Sequence, residues 1–238
     1  MYKRVLLKLS GESIKGDSNL IIDSEFVSKI VDMIIKLKKK GIEMGIVIGA
    51  GNIFRGKIAE DVGIERVPAD FMGMMGTIIN AVALSNALKN IDVPTLVTSA
   101  LPEIPEIDTN YSPELAIKAM EEGKVVFLAG GTGKPYFSTD TAATMRAIET
   151  KCDVILVGKN GVEGIYSADP NKDPSAKFIK TITYDEILNL NLQIMDISAI
   201  ELIKDKNIQI RIFSMSNPEN FLKVANGEDI GSVCKRKE

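Results

Sequence analysis

The sequence predicts an α/β sandwich on a mainly parallel central sheet. Strand-like apolar runs alternate with helix-like segments over almost the whole chain, the βαβα order of that class. Most of these runs are continuous rather than alternating, as strands buried on both faces require. The chain has 238 residues, 45% hydrophobic and 26% charged, enough for the core of one large domain or two intimate lobes.

The first strand spans Arg4–Leu9, where the apolar run meets Lys8, Ser10 and Gly11. A helix over residues 24–40 ends in Lys38-Lys39-Lys40 before Gly41, cations that the helix dipole favours at a C-terminus. Further strands are predicted over Glu43–Ile48 and residues 95–98, 125–128, 154–157 and 208–213. A long helix covers residues 67–90. Another starts at Ser112-Pro113-Glu114, a serine cap with proline at the first position, and Gly123 stops it. Thr183 to Glu186 and Ser198 to Glu201 both have the spacing of a capping box. Asn217-Pro218 opens the last helix. Segments 16–19, 57–65 and 101–111 are expected to be flexible. Residues 161–177, rich in Gly, Asp, Asn and Pro, are expected to form a long loop of the kind that binds or covers ligands. Lys235-Arg236-Lys237 is expected to be a solvated end.

Bulk properties exclude several functions. Net charge is −3 and the sequence pI about 5.3, which points away from nucleic acid and from membrane surfaces. Cys152 and Cys234 lack CxxC spacing, so neither a disulfide framework nor a zinc site is expected, and a reducing cytoplasm is. Met1 runs at once into the first strand, so no signal sequence is expected, and no apolar run is expected to reach transmembrane length. There is no histidine. That removes Ser-His-Asp hydrolysis, Cys-His chemistry and the usual general base. Chemistry here must run on Lys, Arg, Asp, Thr, backbone amides and a metal carried by the substrate.

The residues left suggest phosphate handling. Lys8 sits where an open parallel sheet places its ligands, outside the carboxyl ends of the strands. Gly11 has no Cβ to obstruct an anion. Two more glycine-rich turns follow strands, Gly49-Ala50-Gly51-Asn52-Ile53-Phe54-Arg55-Gly56 and Ala129-Gly130-Gly131-Thr132-Gly133-Lys134-Pro135. Such turns can present several backbone N–H groups to an anion. Neither is a P-loop or a dinucleotide fingerprint: Pro135 follows Gly133-Lys134, and Phe54 stands where the last glycine should be. Ser138-Thr139-Asp140 opens a helix, with Asp140 placed to hold Lys8. Tyr166 could stack on a base, and Asp169 could accept from a ribose hydroxyl. Met72, Met74 and Met75 are expected to fill core gaps. Asp196 is expected to cap a helix, within reach of the nucleotide cleft.

Taken in order, Lys8-Leu9-Ser10-Gly11-Glu12, Gly51-Asn52-Ile53-Phe54-Arg55-Gly56, Asp70-Phe71-Met72-Gly73-Met74, Gly131-Thr132-Gly133, Ser138-Thr139-Asp140 and Tyr166-Ser167-Ala168-Asp169-Pro170 resemble the amino acid kinase superfamily. Within it they are similar to the bacterial uridylate (UMP) kinase family, over essentially the whole chain. The resemblance implies a three-layer α/β/α sandwich in a homohexamer, catalysing ATP + UMP → ADP + UDP with Mg²⁺. It implies one domain over residues 1–238, with about 1–129 serving mainly UMP and subunit contacts and about 130–238 mainly ATP. It implies that Lys8, Leu9, Ser10, Gly11, Gly51 and Arg55 hold ATP phosphates and the transferring group, and that Asn160, Tyr166 and Asp169 hold adenosine. It implies UMP contacts from Ala50, Asp70, Thr132, Gly133, Lys134, Pro135, Tyr136, Phe137, Ser138 and Thr139. Lys8, Asp140 and Arg55 would serve the transfer itself, and no residue is assigned to a resident metal.

Two departures matter. Ala50 stands where the family usually has glycine, narrowing the approach to UMP. The turn 16–20 and the helix around Leu84-Ser85-Asn86-Ala87 lack the features that accompany GTP activation, whereas inhibition by UTP is expected. The competing readings are a related kinase acting on a carboxylate or carbamate, and a non-catalytic nucleotide sensor on the same fold. Asp70 argues against the first. The presence of both Lys8 and Asp140 argues against the second.

Overall fold

The computed structural model describes residues 2–15, 20–159, 161–217 and 219–237. Residues 16–19, expected to be flexible, lie outside them, as do Asn160 and Pro218. Along the chain come β1 (Arg4–Leu9), α1 (Glu12–Lys15), α2 (Ser24–Lys39), β2 (Glu43–Ile48), α3 (Gly56–Asp61) and α4 (Arg66–Lys89). Then follow β3 (Thr95–Ser99), β4 (Thr109–Asn110), α5 (Pro113–Glu121), β5 (Val125–Ala129), α6 (Thr139–Glu149) and β6 (Val154–Lys159). The chain continues through β7 (Ile165–Tyr166), β8 (Phe178–Ile179), β9 (Thr181–Thr183), α7 (Tyr184–Asn189) and α8 (Ile197–Ile203). It closes with β10 (Gln209–Ser214), α9 (Glu219–Ala225) and β11 (Ser232–Lys235).

Among the described residues, one sheet holds nine strands in the order β4-β3-β5-β2-β1-β6-β10-β11-β9. Every neighbouring pair is parallel except β10 and β11. Alternation along β1 builds two cores. Val5, Leu7 and Leu9 pack with α2, α4 and α9 on one face, and Leu6 packs with α5, α6 and α8 on the other. The result is the expected α/β/α sandwich. The chain winds from β1 outward through β2, then returns to place β6 on the other flank of β1. Connections therefore diverge beside β1, and in such sheets that point opens a ligand crevice outside the strand carboxyl ends.

Local signals explain most helix limits. Ser112 Oγ accepts from Leu115 N at 3.1 Å with Pro113 behind it, and Gly123 takes φ 77° after α5. The capping box at Thr183 and Glu186 forms. The one expected at Ser198 does not: α8 starts earlier, behind Asp196, and Ser198 Oγ bonds Thr141 Oγ1 at 2.8 Å instead. Segment 57–65, expected to be flexible, contains most of α3, and loop 161–177 is partly closed by the β7–β8 pair. Lys235 ends β11 rather than belonging to a solvated tail. The strand predicted over 208–213 starts one residue later, at Gln209. Asn217 Oδ1 accepts from Glu219 N at 3.0 Å, at the start of α9.

Helix α4 corrects another expectation. By length and composition it could cross a membrane, with a window of mean hydropathy 1.4. It is a core helix by its contacts. Thr77, Asn80 and Ser85 are buried on it and hydrogen-bonded to groups of the sheet or its turns, and it packs on β3, β5 and α2. Of its three methionines only Met74 is buried, while Met75 is half exposed.

Candidate active site

At the end of β1, Lys8 Nζ lies 2.7 Å from Asp140 Oδ1, and both side chains are 18% exposed. Asp140 sits in the first turn of α6, where the N-cap Ser138 accepts from Thr141 N at 3.3 Å. A second lysine, missed in the sequence, ends β6 beside them. Lys159 Nζ donates to Ile194 O at 3.0 Å. Burial lowers its pKa and the charge of Lys8 lowers it further, opposed by Asp140 and Asp196. Asp196 occupies the N-cap of α8 without a side-chain cap bond, so its carboxylate is left to this electrostatic cluster. The missed signal is simple: Lys159 closes an apolar strand as Lys8 does.

The first two glycine turns lean on each other. A Cβ on Gly11 would strike Asn52 Oδ1 and come within 2.6 Å of Gly49 O. The protein's own second turn is thus enough to require glycine at 11. Leu9 is buried, and its carbonyl accepts from Gly49 N at 2.9 Å. Ser10 Oγ accepts from Glu12 N at 3.3 Å. Arg55 Nε donates to Gly51 O at 3.1 Å, and its guanidinium pairs with Glu12 at the surface. A Cβ on Gly51 would meet nothing closer than Glu12, 3.8 Å away, so the space beside Gly51 is open. Asn52 and Asn80 exchange side-chain hydrogen bonds at 2.8 and 3.0 Å, and Asn80 Nδ2 also donates to Gly49 O at 2.8 Å.

A cavity of about 460 Å³ opens between the second and third turns. Ala50, Gly51, Arg66, Asp70, Met74, Gly131, Phe137, Ser138 and Thr139 line it. Asp70 is its fixed acceptor: both oxygens take Arg66 Nε at 2.8 Å, and Oδ2 takes Tyr136 N at 2.7 Å. Arg66 was not foreseen. It precedes Asp70 by one helical turn and stacks 5.6 Å from the Tyr136 ring centre. Thr132, Gly133, Lys134 and Pro135 do not line the cavity. Thr132 Oγ1 accepts from Lys134 N at 3.1 Å, and Gly130 and Gly133 abut the Ala100 backbone, where a Cβ would come within 2.7 and 2.8 Å. The Ala50 methyl faces α4, since a Cβ on Gly76 would lie 2.8 Å from it. Gly76 makes the room that Ala50 takes.

A second cavity, also about 460 Å³, is lined by Lys159, Tyr166, Asp169, Leu190, Leu192 and Ile194, among others. Tyr166 packs edge-on to Phe178, with centroids 5.5 Å apart. Asp169 Oδ1 accepts from Asn171 N at 3.0 Å, and that bond holds its pKa below the usual carboxylate value. Thr139 lines the first cavity and Lys159 the second, so the Lys8–Asp140 pair stands between the two.

The amino acid kinase family model matches residues 3–214. The uridylate kinase of Limosilactobacillus reuteri is 41% identical over 98% of this chain and 97% of its own. That of Mycoplasmopsis pulmonis is 48% identical over 93% of this chain and 91% of its own. This chain belongs to the amino acid kinase family, in its uridylate kinase branch. Among solved members of the branch, the UMP kinase from Bacillus anthracis superposes with a TM-score of 0.95 at 35% identity, covering 100% of this chain and 97% of its own. The UMP kinase from Ureaplasma parvum gives 0.92 at 38% identity, covering 99% and 100%. The family resemblance read in the motifs is therefore correct, as is the sandwich fold.

Proposed function

We propose that this chain transfers the γ-phosphoryl group of Mg·ATP to UMP, giving ADP and UDP. One observation carries the reading: two cavities of similar size, one lined by Thr139 beside Asp140 and the other by Lys159, flank a mostly buried lysine–aspartate pair at the divergence point of the sheet. Phosphoryl transfer needs alignment and charge neutralisation more than covalent help. A nucleoside monophosphate attacks through a phosphate oxygen, largely ionised near neutrality, so a chain without histidine lacks nothing essential. Lys8, oriented by Asp140, supplies a compact cation to the transferring group, and Lys159 adds a second beside it. Arg55, freed from Glu12, offers a planar fork to phosphate. Ser10, Gly11 and Gly51 border the open ground for the donor phosphates.

The first cavity is assigned to UMP, with Asp70 accepting from the nucleoside and Phe137, Ser138 and Thr139, the inner end of the segment from Thr132, lining its wall. The second is assigned to adenosine, with Tyr166 against the base and Asp169 on the ribose. Mg²⁺ arrives chelated by ATP phosphate oxygens, the hard ligands it prefers. Residues from about 1 to 129 would serve mainly UMP and subunit contacts, and the remainder mainly ATP. The same reading includes a cytoplasmic homohexamer in pyrimidine nucleotide synthesis, inhibited by UTP in the UMP site and not activated by GTP. The full-length similarity to named uridylate kinases supports it.

The test is ADP release from Mg·ATP with UMP, CMP, AMP, GMP, carbamate and N-acetylglutamate offered separately, each with and without UTP and GTP. Turnover confined to UMP, suppressed by UTP and unmoved by GTP, is the expected result. Mg·ATP binding without turnover on UMP would favour a nucleotide sensor.

A further inference from the structure

Arg146 of α6 is only 4% exposed, and the transfer chemistry above does not use it. Its Nη2 donates to Gly131 O at 3.0 Å and its Nη1 to Glu149 Oε2 at 2.7 Å. Its guanidinium lies 3.8 Å over the Tyr111 ring, and Tyr111 OH donates to the same Glu149 oxygen at 2.6 Å. Tyr111 N in turn donates to Ser99 O at 2.9 Å, next to the crowded backbone at Gly130. Arg146 Nε is buried without a partner among the described residues. A buried guanidinium is a poor way to gain stability, because desolvation offsets most of the attraction. An apolar side chain would fill this space at less cost. What a cation adds here is a strong hydrogen bond to one carbonyl, and that carbonyl belongs to Gly131, which lines the first cavity beside Met74.

We propose that Arg146 is a positioning residue for the acceptor, acting through the Gly131–Thr132 peptide. The inference rests on assigning the first cavity to UMP. A trans peptide points its carbonyl and its N–H to opposite sides, and this chain has no cis bond among the described residues. Holding Gly131 O against Arg146 therefore fixes the Thr132 N–H on the opposite side. It also holds Gly131, which lines the cavity, in one place against Met74. Gly131 has φ 59°, a conformation that glycine leaves easily. Without the clamp the turn loses its single orientation. Tyr111 and Glu149 keep the guanidinium flat and aimed.

The experiment is steady-state kinetics of Arg146→Lys and Tyr111→Phe, with Asp70→Asn as the reference for the acceptor site. Lysine keeps the charge but cannot serve Gly131, Glu149 and the ring together. Arg146→Lys should raise KM for UMP by about tenfold, the scale of one charge-assisted hydrogen bond, with KM for ATP unchanged and kcat within about threefold. Tyr111→Phe loses only the hydroxyl bond and should raise KM for UMP by about two- to threefold, in a protein that folds as the wild type does. An unchanged KM for UMP in both variants overturns the inference. So does an equal rise in both KM values with a lowered Tm, which would mark Arg146 as structural support only. If Asp70→Asn raises KM for UMP and Arg146→Lys does not, only this inference fails. If Asp70→Asn has no effect either, the assignment of the cavity fails and the inference with it.

Discussion

The cavities on the two sides of Lys8 and Asp140 have the same volume but are held differently. Buried groups from other elements brace the first cavity, proposed for UMP: Asn80 bonds Gly49 O, Thr77 bonds Gly130 N and Arg146 bonds Gly131 O. The second cavity, proposed for ATP, is walled by the two-residue strand β7, held by Ile165 N donating to the buried Ser232 Oγ at 2.9 Å, and by Asp169, whose turn closes on itself through Asn171 at the surface. A braced site loses little freedom on binding, and preorganised donors act without reorganisation during reaction. A wall that includes a surface turn such as that of Asp169 suits a ligand held mainly elsewhere, as proposed for ATP through its phosphates. Substitutions on the acceptor side should therefore act strongly and selectively on UMP, and those on the donor wall weakly on ATP.

The largest effect is expected where the two sides meet. Lys8→Ala removes a preorganised charge and should lower kcat by roughly a hundredfold or more. Near-normal kcat in that variant would refute its role. Asp70→Asn should raise KM for UMP by about tenfold, since a neutral amide replaces a charged acceptor, and leave KM for ATP alone. Equal changes for both substrates would erase the contrast between the cavities. Gly76→Ala should destabilise by about 1–3 kcal/mol through overpacking against Ala50, an estimate from which helix propensity returns up to about 1 kcal/mol. Adding Ala50→Gly should restore the melting temperature, and failure to do so in thermal unfolding would place the clash elsewhere.

On the donor wall, Tyr166→Ala should raise KM for ATP by only about three- to tenfold, the worth of one aromatic contact. The smallest effect concerns pH. Lys159 has a native pKa below its ordinary 10.5, so between those two values the unfolded chain binds more protons than the folded one. Lys159 thus costs stability at neutral pH, and the cost falls as pH rises through that window. Lys159→Gln should lack this gain in urea unfolding followed into the alkaline range. An identical slope in both proteins would mean that Lys159 is not desolvated.

Lining residues of both cavities were legible in the sequence, Asp70 and Thr139 on one side, Tyr166 and Asp169 on the other. Lys8, Asp140, Asp70 and the glycine turns stand at strand ends and helix starts, which local patterns mark well. The braces were not legible. Arg146, Thr77 and Asn80 lie inside helices, where an arginine or asparagine looks like any other polar position, and their partners are far away in sequence. Arg66 belongs to the same class, because only the fold sets it against Tyr136. The short strands β9 and β11 were missed for a related reason. Three or four residues carry no periodicity, and their pairing with each other and of β11 with β10 is long-range. Gly11 taught the opposite lesson. Its presence was plain, but its cause, contact with the Asn52 turn, could only be seen in three dimensions.

The most direct test of the central claim is ³¹P NMR of the wild-type chain with Mg·ATP and UMP, followed until the spectrum is constant. UDP and ADP appearing in equal amounts, with no free inorganic phosphate, is the predicted result. Phosphate release without UDP, or an unchanged ATP spectrum, would contradict it.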